Sequence, residues 1–229
     1  MKRLVLASGS PRRLELLRHL TTDFTIAASD IEERGSDWQP AVELAPVALP
    51  PSFHIEASRD PRLWAWRKAL DVAQSQSNSE SNEVVVLGAD TVVVAPGELL
   101  GKPCDLDDAR RMLNLLRGRE HYVVTGFAIL APQSPPGPVT LDAVITRAVM
   151  RRFSEEELEG YVATGEPLDK AGAYALQGLG GRLVARVEGC VTNVVGLPLC
   201  QVRRGLLSAG LELLPYPKEG YCAYCPLNE

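Results

Sequence analysis

The sequence lacks any long apolar run. Its first residues, MKRLVLASGSPRR, open a hydrophobic segment that Ser8 and Gly9 end at once. That segment is too short for a signal-peptide core or a membrane span, so no membrane partner is expected and the chain reads as soluble and cytoplasmic. It also lacks an excess of positive charge: 24 Lys and Arg stand against 29 Asp and Glu, a net charge of −5. Proteins that clamp long nucleic acids are usually basic, so no nucleic-acid partner is expected. A small anionic ligand needs only a few local cations and stays open. Cysteine is sparse and odd in number, with five scattered residues, which is no disulfide framework.

What is present is ample material for a core. With 229 residues and 45% hydrophobic content the chain is far from the disordered class. No break in composition asks for two units, so residues 1–214 read as one domain and 215–229 as a tail without periodicity. Residues 3–7, RLVLA, suit a short buried strand. Ser8-Gly9-Ser10 makes a tight loop, and Pro11 opens a helix with Leu14, Leu17 and Leu20 on one face. Residues 35–60, with Pro40, Pro46, Pro50 and Pro51, read as a long loop. Asp60-Pro61 starts a helix to about residue 74. Residues 83–95 form an apolar strand expected to break or bulge at Gly88. Asp105 caps a helix that Gly118 stops. Residues 121–130 and 139–150 make two strands, and Ser154 with Glu157 forms a capping box. Residues 182–188 and 190–195 are short strand candidates, and Leu197-Pro198 opens a last helix. Strands alternating with helices mean an α/β protein with a mixed sheet covered by helices.

Several residues sit where their chemistry is costly unless used. Arg12 and Arg13 fall in the first turn of a helix, where the macrodipole is already positive and each cation is disfavoured by roughly 0.3–1 kcal/mol. A phosphate bound at that N-terminus removes the conflict; two solvated surface arginines are the plain alternative. Asp90 is flanked by VLGA and TVVV, where only Thr91 is neither apolar nor glycine. A carboxylate there needs a hydrogen bond or a cation, which favours a cleft over a simple turn cap. Lys102 follows the Pro96-Gly97 turn, which is able to fold it back beside Asp90; an ordinary exposed lysine is the alternative. The run 165–178, GEPLDKAGAYALQG, places two acids, a lysine and a glutamine among three glycines. Glycine lets a backbone approach a ligand closely, so this is a candidate binding loop.

Taken in order, LASGSPRRLELL at 6–17, DIEE at 30–33, GADTVV at 88–93, LGKP at 100–103, RGREHYVVTG at 117–126, EPLDKAGAYALQG at 166–178 and VVGLPL at 194–199 resemble the Maf nucleotide pyrophosphatases over roughly residues 3–210. The resemblance implies a mixed twisted sheet flanked by helices, with a cleft between two lobes, similar to the inosine triphosphate pyrophosphatases. It implies hydrolysis of a nucleoside triphosphate to the monophosphate and pyrophosphate with a divalent cation, Mg or Mn, and a homodimer. Ser8, Ser10, Arg12, Arg13, Lys68 and Lys102 would hold phosphates. Asp90 would be the proton acceptor, and Glu33, Asp169 and Lys170 would complete the cleft. Glu33 or Asp90 would touch the metal. Arg12, Thr91 and Gln177 would set specificity. Asp90-Thr91 and DKAGAYALQG resemble the branch acting on dTTP and UTP, and a glutamine amide suits the imide edge of those bases.

Two features depart from the family pattern. The 35–60 loop is long and proline-rich, and is expected to bear on cleft closure or dimer contacts. The tail carries Cys222 and Cys225. Zinc usually wants four ligands, and His19, His54, His121 and the other cysteines offer no recognisable second half. Two apolar anchors in a docked tail are the preferred reading.

Overall fold

The computed structural model describes residues 2–29, 31, 44–76, 84–131 and 140–215. Strand β1 (Arg3–Ala7) lies between β2 (Phe24–Ile26) and β3 (Val84–Ala95), parallel to both. Beyond β3 the sheet continues antiparallel through β5 (Glu120–Leu130), β6 (Thr140–Met150) and β7 (Val184–Glu188). The short β4 (Glu98–Leu100) folds back on the end of β3 through the Pro96-Gly97 turn. The sheet is therefore mixed, with β3 as the strand on which its parallel and antiparallel parts meet.

Side-chain alternation assigns each face of β1 to a helix. Leu4 and Leu6 pack against Leu16 and Leu17 of α1 (Pro11–Arg18), together with Phe127 and Ile129. Val5 and Ala7 pack on the other face against Ala65, Trp66 and Ala69 of α2 (Pro61–Gln76). Strands β3 and β5 run on past this sandwich. Their far ends carry a second core, in which Val93, Val123 and Met150 meet Met112 and Leu113 of α3 (Leu106–Leu116) and Leu158 of α4 (Glu155–Val162). Asp105 caps α3 by accepting from the Asp108 amide, and Ser154 with Glu157 completes the capping box of α4. The last two helices among the described residues are α5 (Val191–Val195) and α6 (Leu199–Ser208), the latter joining the first core through Leu199, Val202 and Leu206. Among the described residues no helix is long and apolar enough to cross a membrane.

Two sequence expectations change here. Strand β3 does not break at Gly88; it runs unbroken from Val84 to Ala95. A methyl on Gly88 would overlap the Ala65 carbonyl oxygen, and one on Gly126 would overlap the backbone of Pro61 and Arg62. Both glycines let α2 lie directly on the sheet. Residues 190–195 are not a strand, since Val191–Val195 is a helix. Its β-branched residues favour extension, but the Asn193 side chain is spent on the β5 backbone, accepting from the Thr125 amide and donating to the Val123 carbonyl. That tertiary pair overrides local propensity. The described part of the proline-rich loop, 44–60, is packed on the sheet: Val47, Leu49, Phe53 and Ile55 lie against Val94 and Val124. Cys222 and Cys225 lie outside the described residues.

The close helix contact sets a test. Gly88→Ala and Gly126→Ala should each lower the unfolding free energy by about 1–3 kcal/mol through overpacking. Gly160→Ala on α4, where nothing lies within 4 Å of the new methyl, should raise it by about 0.5–1 kcal/mol. Urea denaturation of the three variants checks this, and equal shifts at all three positions would contradict it.

Candidate active site

The pairing of β3 leaves one gap. β1 stays beside it only to Ala7 opposite Gly88, then turns away into the Ser8–Ser10 loop. β4 takes up that side from Val93 opposite Leu100. Between them, residues 89–92 keep β5 on one flank and have no strand on the other. Because successive side chains alternate across a strand, this gap serves both faces: Asp90 points to α2 and Thr91 to α1. The space it opens is a cavity of about 780 Å³, in the size range of small-molecule sites.

The elements around the gap bring most of the candidate residues to that cavity. Ser8, Ser10, Arg12 and Arg13 reach it from the loop and first turn of α1; Lys68 comes from α2, and Lys102 from beyond β4. Asp169 and Lys170 come from the turn after α4. Counting Arg59 as well, six cations (Arg12, Arg13, Arg59, Lys68, Lys102 and Lys170) and two carboxylates (Asp90 and Asp169) line it. In a chain of net charge −5 this is a local reversal of sign. Glu33 lies outside the described residues. Gln177 is half-buried and is not among the lining residues.

Lys68 and Asp90 form an ion pair of 2.8 Å, their side chains 10% and 15% exposed. The pair occupies Oδ1 of Asp90, and among the described residues Oδ2 has no hydrogen-bond partner. Lys102 is exposed and has no ion pair among the described residues. Arg12 reaches across the cleft to Asp169 at 3.1 Å and donates also to the Asp169 carbonyl. Burial acts against the charged Asp169, but hydrogen bonds from Lys170 and Arg12 outweigh it and hold this carboxyl below its ordinary pKa.

Arg13 is held by its own protein. Its Nε donates to the Gly196 carbonyl, Nη1 to Ser8 Oγ and Nη2 to Thr91 Oγ1. Ser8 Oγ also accepts from the Ser10 amide, and α1 has no side-chain cap. An anion entering here meets a helix N-terminus and a fixed guanidinium together.

The 165–178 run divides its labour. Glu166 accepts from the Leu179 and Gly180 amides and from the Tyr161 hydroxyl, so it shapes the turn and leaves Asp169 to the cleft. Ala173 adopts φ 63°, a left-handed conformation unusual outside glycine. It delivers Tyr174 to the cavity wall, where the hydroxyl meets Nε2 of His121 at 2.6 Å. His121 is fully buried and its Nδ1 has no partner among the described residues. Burial alone therefore pushes its pKa down to about 4.

Three contributors escaped the sequence reading: Arg59, Trp64 and Tyr174. Arg59 left no usable signal. Trp64 stands one helical turn before Lys68, a spacing that puts both on one face, and helical phase alone was able to nominate it. A hard cation fits the carboxylate oxygen of Asp90, which is open, better than any cluster of nitrogen or sulfur ligands. Among the described residues no group of three or more His, Cys, Asp or Glu is placed to hold a metal.

Fold and site together define an α/β protein whose cleft gathers six cations around the carboxylates of Asp90 and Asp169. A family described as Maf-like protein matches residues 3–209, and the chain belongs to it. A dTTP/UTP pyrophosphatase of Moorella thermoacetica is 45% identical over 93% of this chain and 98% of its own. One of Dictyoglomus thermophilum is 41% identical over 93% and 99%. Among solved structures, a nucleoside-triphosphatase or dITP/XTP pyrophosphatase of Mycobacterium abscessus matches 66% of this chain and 75% of its own, at 13% identity and a TM-score of 0.33; a likeness that weak carries no argument.

Two tests follow from the geometry. Lys68→Met should cost about 1–3 kcal/mol by stranding the Asp90 charge, and adding Asp90→Asn should recover part of it. A double-mutant cycle by urea denaturation reads this coupling, and strict additivity would contradict the pair. Because folded His121 has a lowered pKa, the unfolded chain binds more protons between pH 6.5 and 4. Stability from this group is complete above that range and is lost as pH falls through it, by up to about 3 kcal/mol. His121→Gln should flatten the slope of unfolding free energy between pH 6.5 and 4; an unchanged slope would contradict the assignment.

Proposed function

We propose that the chain hydrolyses nucleoside triphosphates, dTTP and UTP foremost, to the monophosphate and pyrophosphate. The observation that carries this reading is the cavity itself, six cations around an Asp90 with one oxygen open, in an acidic protein. The names of the relatives in Moorella and Dictyoglomus support the base preference. With nucleotides as substrates, the reading also places the protein in the cytoplasm.

Ser8, Ser10, Arg12, Arg13, Lys68 and Lys102 neutralise and align the triphosphate, which is most of what phosphoryl transfer asks of a protein. Arg12 must share its guanidinium between Asp169 and a phosphate oxygen, which ties the two walls of the cleft through the ligand. Oδ2 of Asp90 takes the proton of a water that attacks the α-phosphorus. The bond from that phosphorus to the bridging oxygen breaks, and pyrophosphate leaves with the electron pair. A divalent cation, Mg or Mn, would be held by Asp90 with phosphate oxygens, and by Glu33 if that residue reaches the cleft. When bound it supplies further charge neutralisation. Thr91 and Arg12 stand at the wall to select the base. Gln177 takes part only if the 174–178 segment moves inward.

The test is pyrophosphate release with Mg or Mn from a panel of dTTP, UTP, CTP, GTP, 7-methyl-GTP and ITP. The chain should prefer dTTP and UTP, and Asp90→Asn should lower kcat by at least about a hundredfold while KM changes little. Near-normal turnover in Asp90→Asn would refute the carboxylate's role. Nucleotide binding without turnover in the parent would make this a binding protein.

A further inference from the structure

Beneath the cleft lies a chain of buried polar groups that the phosphate chemistry does not use. Thr91 and Thr125 are direct cross-strand partners on β3 and β5, their hydroxyl oxygens 3.0 Å apart. Thr125 is fully buried, and so is Asn193 on α5. The Thr125 hydroxyl lies 2.9 Å from the Asn193 carbonyl oxygen, and the Thr125 amide donates to Asn193 Oδ1. Asn193 Nδ2 is spent on the Val123 carbonyl and on Thr146 Oγ1.

Counting protons along this chain fixes its direction. A carbonyl oxygen only accepts, so the single proton of the Thr125 hydroxyl goes to Asn193. Thr125 Oγ1 must then accept from Thr91. Thr91 has no second proton, and its oxygen already accepts from Arg13 Nη2. What Thr91 offers the cavity is one lone pair and no donor. Ser8, the other hydroxyl on Arg13, is the opposite: it accepts from Ser10 and from Arg13, and its own proton has no acceptor among the described residues. Arg13 thus carries a donor hydroxyl on the side of the phosphate loop and an acceptor hydroxyl on the side of β3. Beyond Thr91 the wall turns apolar, with Val93, Val123, Tyr174 and Val195, the kind of slot a flat base enters.

We propose that Thr125 is a positioning residue for base selection: by holding the Thr91 proton it makes Thr91 an acceptor only, and so favours a pyrimidine whose ring nitrogen N3 carries a proton. This rests on the pyrophosphatase reading above. Uracil and thymine present an imide N–H at that edge. Cytosine presents a bare ring nitrogen, which would face the Thr91 lone pair with no proton between them, an unpaired contact that a buried site penalises.

The test compares kcat/KM for UTP and CTP, which differ at this edge and not in size, in the parent, Thr125→Val and Thr125→Ser. Thr125→Val frees the Thr91 proton to donate, and the UTP-to-CTP ratio should fall about tenfold, mainly through a lower KM for CTP. Thr125→Ser keeps the hydroxyl and should keep the parental ratio. Thr125→Ala carries the same expectation as Thr125→Val should that variant fail to fold, as thermal unfolding will show. An unchanged ratio in the hydroxyl-free variants, or an equal loss in Thr125→Ser, overturns the proposal. So does a parent that turns over UTP and CTP alike, which leaves the pyrophosphatase reading standing. A parent with no turnover overturns that reading instead, and calorimetric binding of UMP against CMP to the same proteins then decides the relay. There, the same tenfold fall supports it, and an unchanged ratio or no binding overturns it.

Discussion

Residues 89–92 of β3 have a strand on one side only, and the site is arranged around that gap. β1 ends at Ala7 and β4 begins its pairing at Val93. An unpaired strand edge exposes backbone donors and acceptors that must find partners. Here the edge opens into a cavity and the missing strand is replaced by a cleft. Because the strand continues unbroken through the gap, Asp90 and Thr91 present opposite faces to one ligand space. Two helices answer them, α2 with Lys68 and α1 with Arg13. A bulge at Gly88 would have rotated this pair and lost the division.

Close helix contact is the second requirement. Lys68 reaches Asp90 because α2 lies on the sheet with no side chain beneath it at Gly88 and Gly126. The pair is nearly excluded from water, where a lone charge is costly, and its partner is supplied by the same packing that forms the core. Arg13 follows a similar logic. Three acceptors fix its guanidinium before any ligand arrives, so little ordering is left for binding to impose. Arg12 is the contrast: it crosses the cleft to an exposed Asp169 and can exchange that partner for a ligand.

Much of this was legible in the sequence because it is local. The capping box at Ser154, the cap at Asp105, the helix opening at Pro11 and the alternating core of β1 are short-range patterns with one physical meaning. The cost of Asp90 among valines and of paired arginines in a first helical turn marked both as unusual before any fold was known. What was not legible depends on distant partners. Residues 190–195 look extended until Asn193 is seen to bind β5, 68 and 70 positions away. Gly88 looks like a strand breaker until α2 is seen above it. The proline-rich loop looks like a free insertion until Val47, Leu49 and Phe53 are seen packing on Val94 and Val124 of the sheet. Arg59 and Trp64 enter the cleft only through the placement of α2 and the turn before it.

Where the attacking water goes decides the role of Asp90. Hydrolysis of dTTP in water enriched in heavy oxygen, with products followed by phosphorus NMR, decides it most directly. Heavy oxygen in the nucleoside monophosphate, with unlabelled pyrophosphate, is the predicted result and means attack at the α-phosphorus beside Asp90. Heavy oxygen in released orthophosphate or in pyrophosphate would contradict the cleft geometry proposed for this chain.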